Sequence, residues 1–74
     1  MDKFEQISDK TELSKIIKKR RKELKITQKN LAVFCNLSVN GISQIEVGAS
    51  DIKLSTLLKV SKILGFKILF ETEE

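Results

Sequence analysis

Apolar residues recur every three or four positions in four separate stretches, which is the spacing of one face of an α-helix. The apolar positions of the first stretch are Leu13, Ile16, Ile17 and Leu24. Its predicted start is Ser8 or Asp9, because either side chain can accept a hydrogen bond from an unpaired backbone amide. Arg20 interrupts the apolar stripe, so its guanidinium must reach solvent or a hydrogen-bond acceptor.

Two short helices joined by a tight turn are predicted next. The inward positions expected in the first of them are Leu31, Ala32, Phe34 and Cys35. Thr27 is its expected N-cap, and Ser38 is the expected N-cap of the second helix, which runs to about Val47. Between the two helices lies Asn36, the residue type other than glycine that best tolerates a left-handed backbone. Gly48 is expected to end the second helix.

A fourth helix and a short strand are predicted in the last third of the chain. The helix spans Leu54–Leu64 and ends at Gly65, with candidate core positions Leu54, Leu57, Leu58, Val60 and Leu64. The following letters FKILFE alternate in the way of a β-strand. A single strand cannot pair its own backbone groups. We expect residues 66–71 to pair with the same strand of a second subunit, and pairing with residues 4–7 is the alternative.

The length of the chain indicates the number of domains, and its charge indicates the class of partner. The 74 residues are expected to form one domain, residues 1–74, with a net charge of +4. Residues 1–30 hold ten basic and five acidic side chains, a balance of +5, whereas residues 31–74 hold four and five, a balance of −1. The basic excess is concentrated in the run KIIKKRRK. Such a run suits phosphates or an acidic partner, or it is a solvated helix face.

Composition removes several classes of function. The chain has no histidine and one cysteine, so it offers no disulfide framework, zinc-ligand set or nucleophile–base pair. We expect no enzyme activity, no cofactor and no metal, and Cys35 is expected to be an inert core thiol. No apolar run approaches the roughly 20 residues of a membrane span, and the first ten residues lack a signal-peptide core. A cytoplasmic protein without membrane contact is therefore expected.

The two short helices carry the spacing of a DNA-binding motif. Counted from Gln28, positions 4, 5, 8, 9, 10, 15 and 18 are Leu31, Ala32, Cys35, Asn36, Leu37, Ile42 and Ile45. A small residue at the helix crossing, a turn residue and this apolar spacing predict a helix-turn-helix over residues 28–47. The segments TQKNLA, LSVNGISQIEVG and LSTLLKVSKILG resemble the Xre/Cro/434-repressor family over roughly residues 13–65. This resemblance implies an all-α, lambda-repressor-like fold of four helices.

Within that family the chain is most similar to HipB-type antitoxins, because a strand rather than another helix follows Gly65. This resemblance implies a homodimer that represses its own operon at a palindromic operator and binds a HipA- or HipT-like kinase toxin. The residues implied in dimerisation are Phe66, Ile68, Leu69 and Phe70. The alternative function is a protein-interaction module that neutralises a toxin and binds little DNA.

The resemblance also implies which residues contact double-stranded DNA. Base-reading positions are Val39, Asn40, Ser43 and Gln44, which include amides suited to adenine and a methyl-bearing side chain suited to thymine. Backbone contacts are implied for Gln28 (through its backbone amide and side chain), Lys29, Ser38, Lys18 and Lys53. Arg21 and Glu46 match a structural ion pair of the family. Lys25 departs from the pattern because a glycine commonly ends the first helix there, so that turn is expected to be strained or differently shaped.

Overall fold

The computed structural model describes residues 4–73 and shows four α-helices within them. They are α1 (Lys10–Glu23), α2 (Gln28–Cys35), α3 (Val39–Glu46) and α4 (Leu54–Leu64). The predicted all-α class is confirmed, and α2 packs against both α3 and α4 while α1 contacts α3 and α4. In residues 4–73 no helix combines the length and the apolar character needed to cross a bilayer.

The first three helices begin at side chains that the sequence predicts as caps, whereas Lys53 before α4 makes no capping hydrogen bond. Asp9 Oδ1 accepts from the amide of Glu12 at 2.9 Å, and Thr27 Oγ1 accepts from the amide of Asn30 at 3.0 Å. Each bond satisfies an amide that has no partner inside its own helix. The serine cap of α3 is described below with the site.

Two residues other than glycine adopt left-handed backbone conformations in the described part of the chain, and both lie in turns between helices. Asn36 ends α2 with φ of 57°, as predicted. Lys25 has φ of 59° in the turn between α1 and α2, where the sequence predicts strain or an altered turn. A side chain with a Cβ pays a conformational cost in this region that glycine does not pay.

A single apolar core lies where the four helices meet. Its buried members are Ile17, Leu31, Ala32, Cys35, Ile42, Ile45, Val60 and Leu64. Ala32 is 2% exposed, which agrees with a close helix crossing at that position. Burial raises the pKa of the Cys35 thiol, partly offset by the charge of Lys59.

Four predicted core positions are wrong. Phe34 is 63% exposed, and Leu24, Leu54 and Leu58 are also exposed. Phe34 and Leu58 are rotated by roughly 110° from the centre of the buried arc of their helices, at 100° per residue. Leu24 is the C-cap of α1, where the chain turns away from the core.

Arg20 finds an acceptor at the far end of the chain. Its Nε donates to the carbonyl oxygen of Leu64 at 2.7 Å, and its Nη1 lies 3.6 Å from Glu23 Oε1. The carbonyls at the end of α4 carry partial negative charge, so a guanidinium there is favourable. This contact ties α1 to the point where the chain leaves α4.

Two extended stretches flank the helices: residues 4–7, called the N-terminal segment, and residues 66–73, called the C-terminal segment. Neither forms a strand, and no backbone hydrogen bond joins them within residues 4–73. The alternative of pairing between residues 66–71 and residues 4–7 is therefore wrong for the single chain. A strand needs a neighbouring edge, which one copy of the chain does not supply. Pairing with a second subunit stays a prediction.

Candidate nucleic-acid interface

The turn between α2 and α3 sets the angle at which α3 leaves the body of the protein. The left-handed conformation of Asn36 lets the amide of Leu37 donate to the carbonyl of Ala32 at 2.9 Å. The amide of Asn36 donates to the carbonyl of Val33 at 3.2 Å. These two bonds close the end of α2 and direct the chain into α3.

The helix α3 divides into a buried face and an exposed face. Ile42, Ile45 and Glu46 are buried. The four predicted base-reading residues lie on the other face: Val39, Asn40 and Gln44 are exposed and Ser43 is half-buried. At 100° per residue these four positions share an arc of about 140°. The exposed arc carries one apolar and three uncharged polar side chains, so it can make directional hydrogen bonds and a methyl contact.

The first turn of α3 is fixed by Ser38. Its Oγ accepts from the amide of Gly41 at 2.9 Å, and Gly41 is half-buried against it. A Cβ at Gly41 would lie 3.3 Å from Ser38 Oγ. The missing side chain at Gly41 leaves space for the cap.

An ion pair predicted from the sequence ties α1 to the end of α3. Arg21 Nε donates to Glu46 Oε2 at 2.5 Å, and Arg21 Nη2 donates to Glu46 Oε1 at 3.0 Å. Arg21 Nη1 also donates to the carbonyl of Ile26 at 2.8 Å. One guanidinium therefore holds α3 and the turn that follows α1, and sequence reasoning did not find the second of these contacts.

The pKa of Glu46 is lowered from its ordinary value. Burial alone would raise it, but hydrogen bonds from Arg21 and Gln28 and the charges of Arg21 and Lys18 outweigh burial. The Glu46 carboxylate therefore stays ionised at neutral pH inside the protein.

Gln28 takes part in this network, which changes its predicted role. Its Nε2 donates to Glu46 Oε1 at 3.1 Å, so the side chain is directed at a carboxylate rather than at solvent. The backbone amides of Gln28 and Lys29 have no acceptor among residues 4–73. The amino end of α2 thus presents two amide donors and the positive end of a helix dipole.

The remaining predicted backbone contacts are exposed, and Lys18 and Lys53 lie near α3. Lys18 is close enough to Glu46 for its charge to lower that pKa. Lys53 and Gly41 line the same cleft of about 250 Å³ between α3 and the start of α4. Lys29 is exposed on the first turn of α2. Ser50 and Thr56 line the cleft as well. The helical pattern could not predict the position of Ser50, because this residue lies in a loop.

The predicted dimerisation residues do not share one environment. Phe66 packs partly against the core, whereas Ile68, Leu69 and Phe70 are exposed, Phe70 to 93%. Three consecutive exposed apolar side chains are more than a solvated chain end requires.

Comparison with known proteins finds a matching family and similar structures. The helix-turn-helix family model HTH_3 matches residues 17–70. No curated protein sequence matches the chain.

Solved structures match over most of the chain. A structure of a HipA–HipB–O2–O3 complex matches with a TM-score of 0.80 and 24% identity, covering 96% of this chain and 100% of the other. A mutant of the restriction-modification controller protein C.Esp1396I matches with a TM-score of 0.73 and 33% identity, covering 78% and 75%. The controller protein C.AhdI from Aeromonas hydrophila matches with a TM-score of 0.74 and 19% identity, covering 78% and 88%.

Proposed function

The chain belongs to the helix-turn-helix family of DNA-binding regulators, and from that premise we propose that it is a homodimeric, sequence-specific transcriptional repressor. The observation that carries the proposal is the exposed arc of α3. Its side chains Val39, Asn40 and Gln44 face away from a core that the same helix helps to build. An α-helix with such a face fits the major groove, where amides distinguish adenine and an apolar group contacts the thymine methyl.

The surroundings of α3 supply the sequence-independent part of binding. Lys18 and Lys53 are exposed near the helix, and Lys29 is exposed on the first turn of α2. The amino end of α2 adds two unpaired amides. Ser38 and Gln28 complete the proposed phosphate contacts, Gln28 chiefly through its backbone amide. Such contacts set the position of the helix on the duplex without carrying sequence information.

The proposed role of the chain is also HipB-like. The HipB complex covers 96% of this chain and the controller proteins 78%, so the likeness to HipB extends further along the chain. By this proposal residues 66–71 form the intersubunit strand, with Phe66, Ile68, Leu69 and Phe70 at the interface. The protein is then the antitoxin of a toxin–antitoxin module that represses its own operon and binds a HipA- or HipT-like kinase toxin.

A second candidate is a regulator of a restriction-modification system. C.Esp1396I, a controller protein, shares 33% identity with the chain, more than the 24% of HipB.

A third candidate function is a module that neutralises a toxin and binds little DNA. Exposed Val33 and Phe34 on α2, outside the arc of α3, favour a further protein contact.

Binding to the DNA upstream of its own gene, measured at several salt concentrations, tests the repressor proposal. A repressor is expected to shift this DNA with an affinity that falls steeply as salt rises, and deletion of residues 66–74 should weaken both dimerisation and binding. Co-purification with a neighbouring gene product identifies the toxin or restriction system. A kinase that co-purifies while the DNA is not bound would support the neutralising module instead.

A further inference from the structure

A cleft of about 330 Å³ lies between the two extended segments of the chain. Its floor is the exposed side of α1, with Ile16, Lys19 and Arg20. One wall is the N-terminal segment at Glu5, and the opposite wall is the start of the C-terminal segment at Phe66. The two segments therefore lie on either side of an open space instead of touching.

The N-terminal segment and the part of the C-terminal segment beyond Phe66 have backbone groups without partners, whereas the amide of Phe66 itself donates to the carbonyl of Ser61. Residues 4–7 make no backbone hydrogen bond to any other residue between 4 and 73, and neither do residues 67–73. Extended backbone with free amides and carbonyls on an edge is a template for another strand. The cleft adjoins one such edge at Glu5, and the other begins directly after Phe66, so a strand that enters the cleft could pair with residues 4–7 on one side and with residues 67–73 on the other.

We infer that the cleft holds the C-terminal segment of a second copy of the chain, so that the N-terminal segment is the outer strand of the dimer's sheet. The inference rests on the proposed homodimer. A twofold axis between the two C-terminal segments then gives the strand order N-terminal, partner C-terminal, C-terminal, partner N-terminal. Each N-terminal segment pairs with the other subunit's C-terminal segment. The segments of one chain are separated by two strand spacings of about 4.8 Å each, which explains why they do not pair with each other.

The chemistry of the cleft matches that of the segment it receives. The charged side chains that line it have both signs: Glu5, Lys19, Arg20 and Glu23. The incoming segment carries Lys67 and Glu71 around three apolar residues. Each charge can thus meet its opposite, while Ile16 on the floor offers an apolar contact to the residues between them.

Arg20 fixes the geometry on which this exchange depends. Its hydrogen bond to the carbonyl of Leu64 holds the end of α4 against α1. Gly65, with φ of 72°, then turns the chain toward the cleft. Arg20 is therefore a positioning residue for the C-terminal segment.

Crosslinking between two single-cysteine variants tests the exchange. Gln6→Cys and Leu69→Cys proteins that carry different affinity tags are mixed, allowed to exchange subunits and oxidised. The neighbouring variants Glu5→Cys and Ile68→Cys are tested in the same way, to allow for a shift of one residue in strand register. The inference predicts a disulfide that joins the two different tags. Native Cys35 is buried, so the unmodified protein is the control and should not crosslink. A double variant that forms its disulfide within one chain, or mixed dimers that never crosslink in any register, would overturn the inference.

Truncation separates this inference from the proposal it rests on. Deletion of residues 1–7 is expected to raise the dimer Kd about tenfold and to speed amide hydrogen exchange in residues 67–71, while deletion of residues 1–3 serves as the matched control. An unchanged Kd and unchanged exchange in a protein that still dimerises would refute the outer strand and leave the homodimer standing. A protein that stays monomeric at every concentration would refute both.

Discussion

The guanidinium of Arg21 in α1 donates two hydrogen bonds to the carboxylate of Glu46 at the end of α3, with donor–acceptor distances of 2.5 and 3.0 Å. Their side chains are only 10% and 1% exposed. Glu46 lies one turn beyond Ile42, on the buried face of α3. The position of the proposed base-reading surface therefore depends on a buried pair that touches no DNA.

Removing one partner of this pair is expected to be costly. Glu46→Ala should lower the free energy of unfolding by about 3–5 kcal/mol, because it leaves the Arg21 charge buried without its partner. The measurement is urea denaturation at neutral pH and a fixed protein concentration, since dimerisation contributes to stability. The matched control is the double variant Arg21→Met with Glu46→Leu, which should lose less than Glu46→Ala. Equal losses in both would mean that packing, and not charge, governs this site.

Acidification is expected to weaken the same contact. Folding lowers the pKa of Glu46, so its contribution to stability is complete above the unfolded carboxyl value of about 4.3 and is lost as pH falls through the folded value. The difference in free energy of unfolding between the unmodified protein and Glu46→Gln should narrow as pH falls from 6 to 3. Denaturation is measured at pH intervals of about half a unit across this range. Two parallel stability curves over this range would contradict the assigned ionisation.

The turn after α1 contains strain that glycine would relieve. Lys25 has φ of 59°, so Lys25→Gly should raise the free energy of unfolding by about 0.5–1 kcal/mol. Lys25→Ala keeps the Cβ and is the control, with a change expected near zero. Thermal unfolding of the three proteins side by side provides the comparison. If alanine stabilises as much as glycine, loss of the lysine charge is the cause.

Contacts to bases and contacts to phosphates are expected to differ in kind. Gln44→Ala should relax preference at one base position by about 1–3 kcal/mol, because an amide that reads a base edge is lost. Lys29→Ala is the matched control: it should weaken binding to all sequences alike and reduce the salt slope by about 0.9. Affinities for the preferred site and for single-base variants of it separate the two patterns. Uniform weakening by Gln44→Ala would remove that residue from base readout.

Local chemistry accounts for the features that the sequence predicted well. Asp9, Thr27 and Ser38 are caps because each is a short acceptor placed before a helical apolar pattern. Asn36 ends α2 because it tolerates the left-handed region. The pairing of Arg21 with Glu46 followed from the family resemblance, since 25 residues separate them and no local pattern joins them.

What the sequence missed depends on tertiary placement. Phe34 and Leu58 are as apolar as the core residues beside them, and only the rotation of each helix against its neighbours leaves them exposed. The bond from Gln28 to Glu46 is equally hidden, because a glutamine on a first helical turn can face a phosphate or a neighbouring carboxylate. The C-terminal segment has a strand pattern, but a strand needs an edge that one chain does not provide.

Selection of bound duplexes from a random DNA pool tests the central claim, that the exposed arc of α3 reads base sequence from a symmetric dimer. The expected result is a palindrome with A·T pairs in its half-sites, whose centres lie about 10–10.5 base pairs apart. Repeating the selection with Gln44→Ala should lose preference at one position of each half-site. Recovery of unenriched sequences by a protein that is folded and dimeric would contradict the claim.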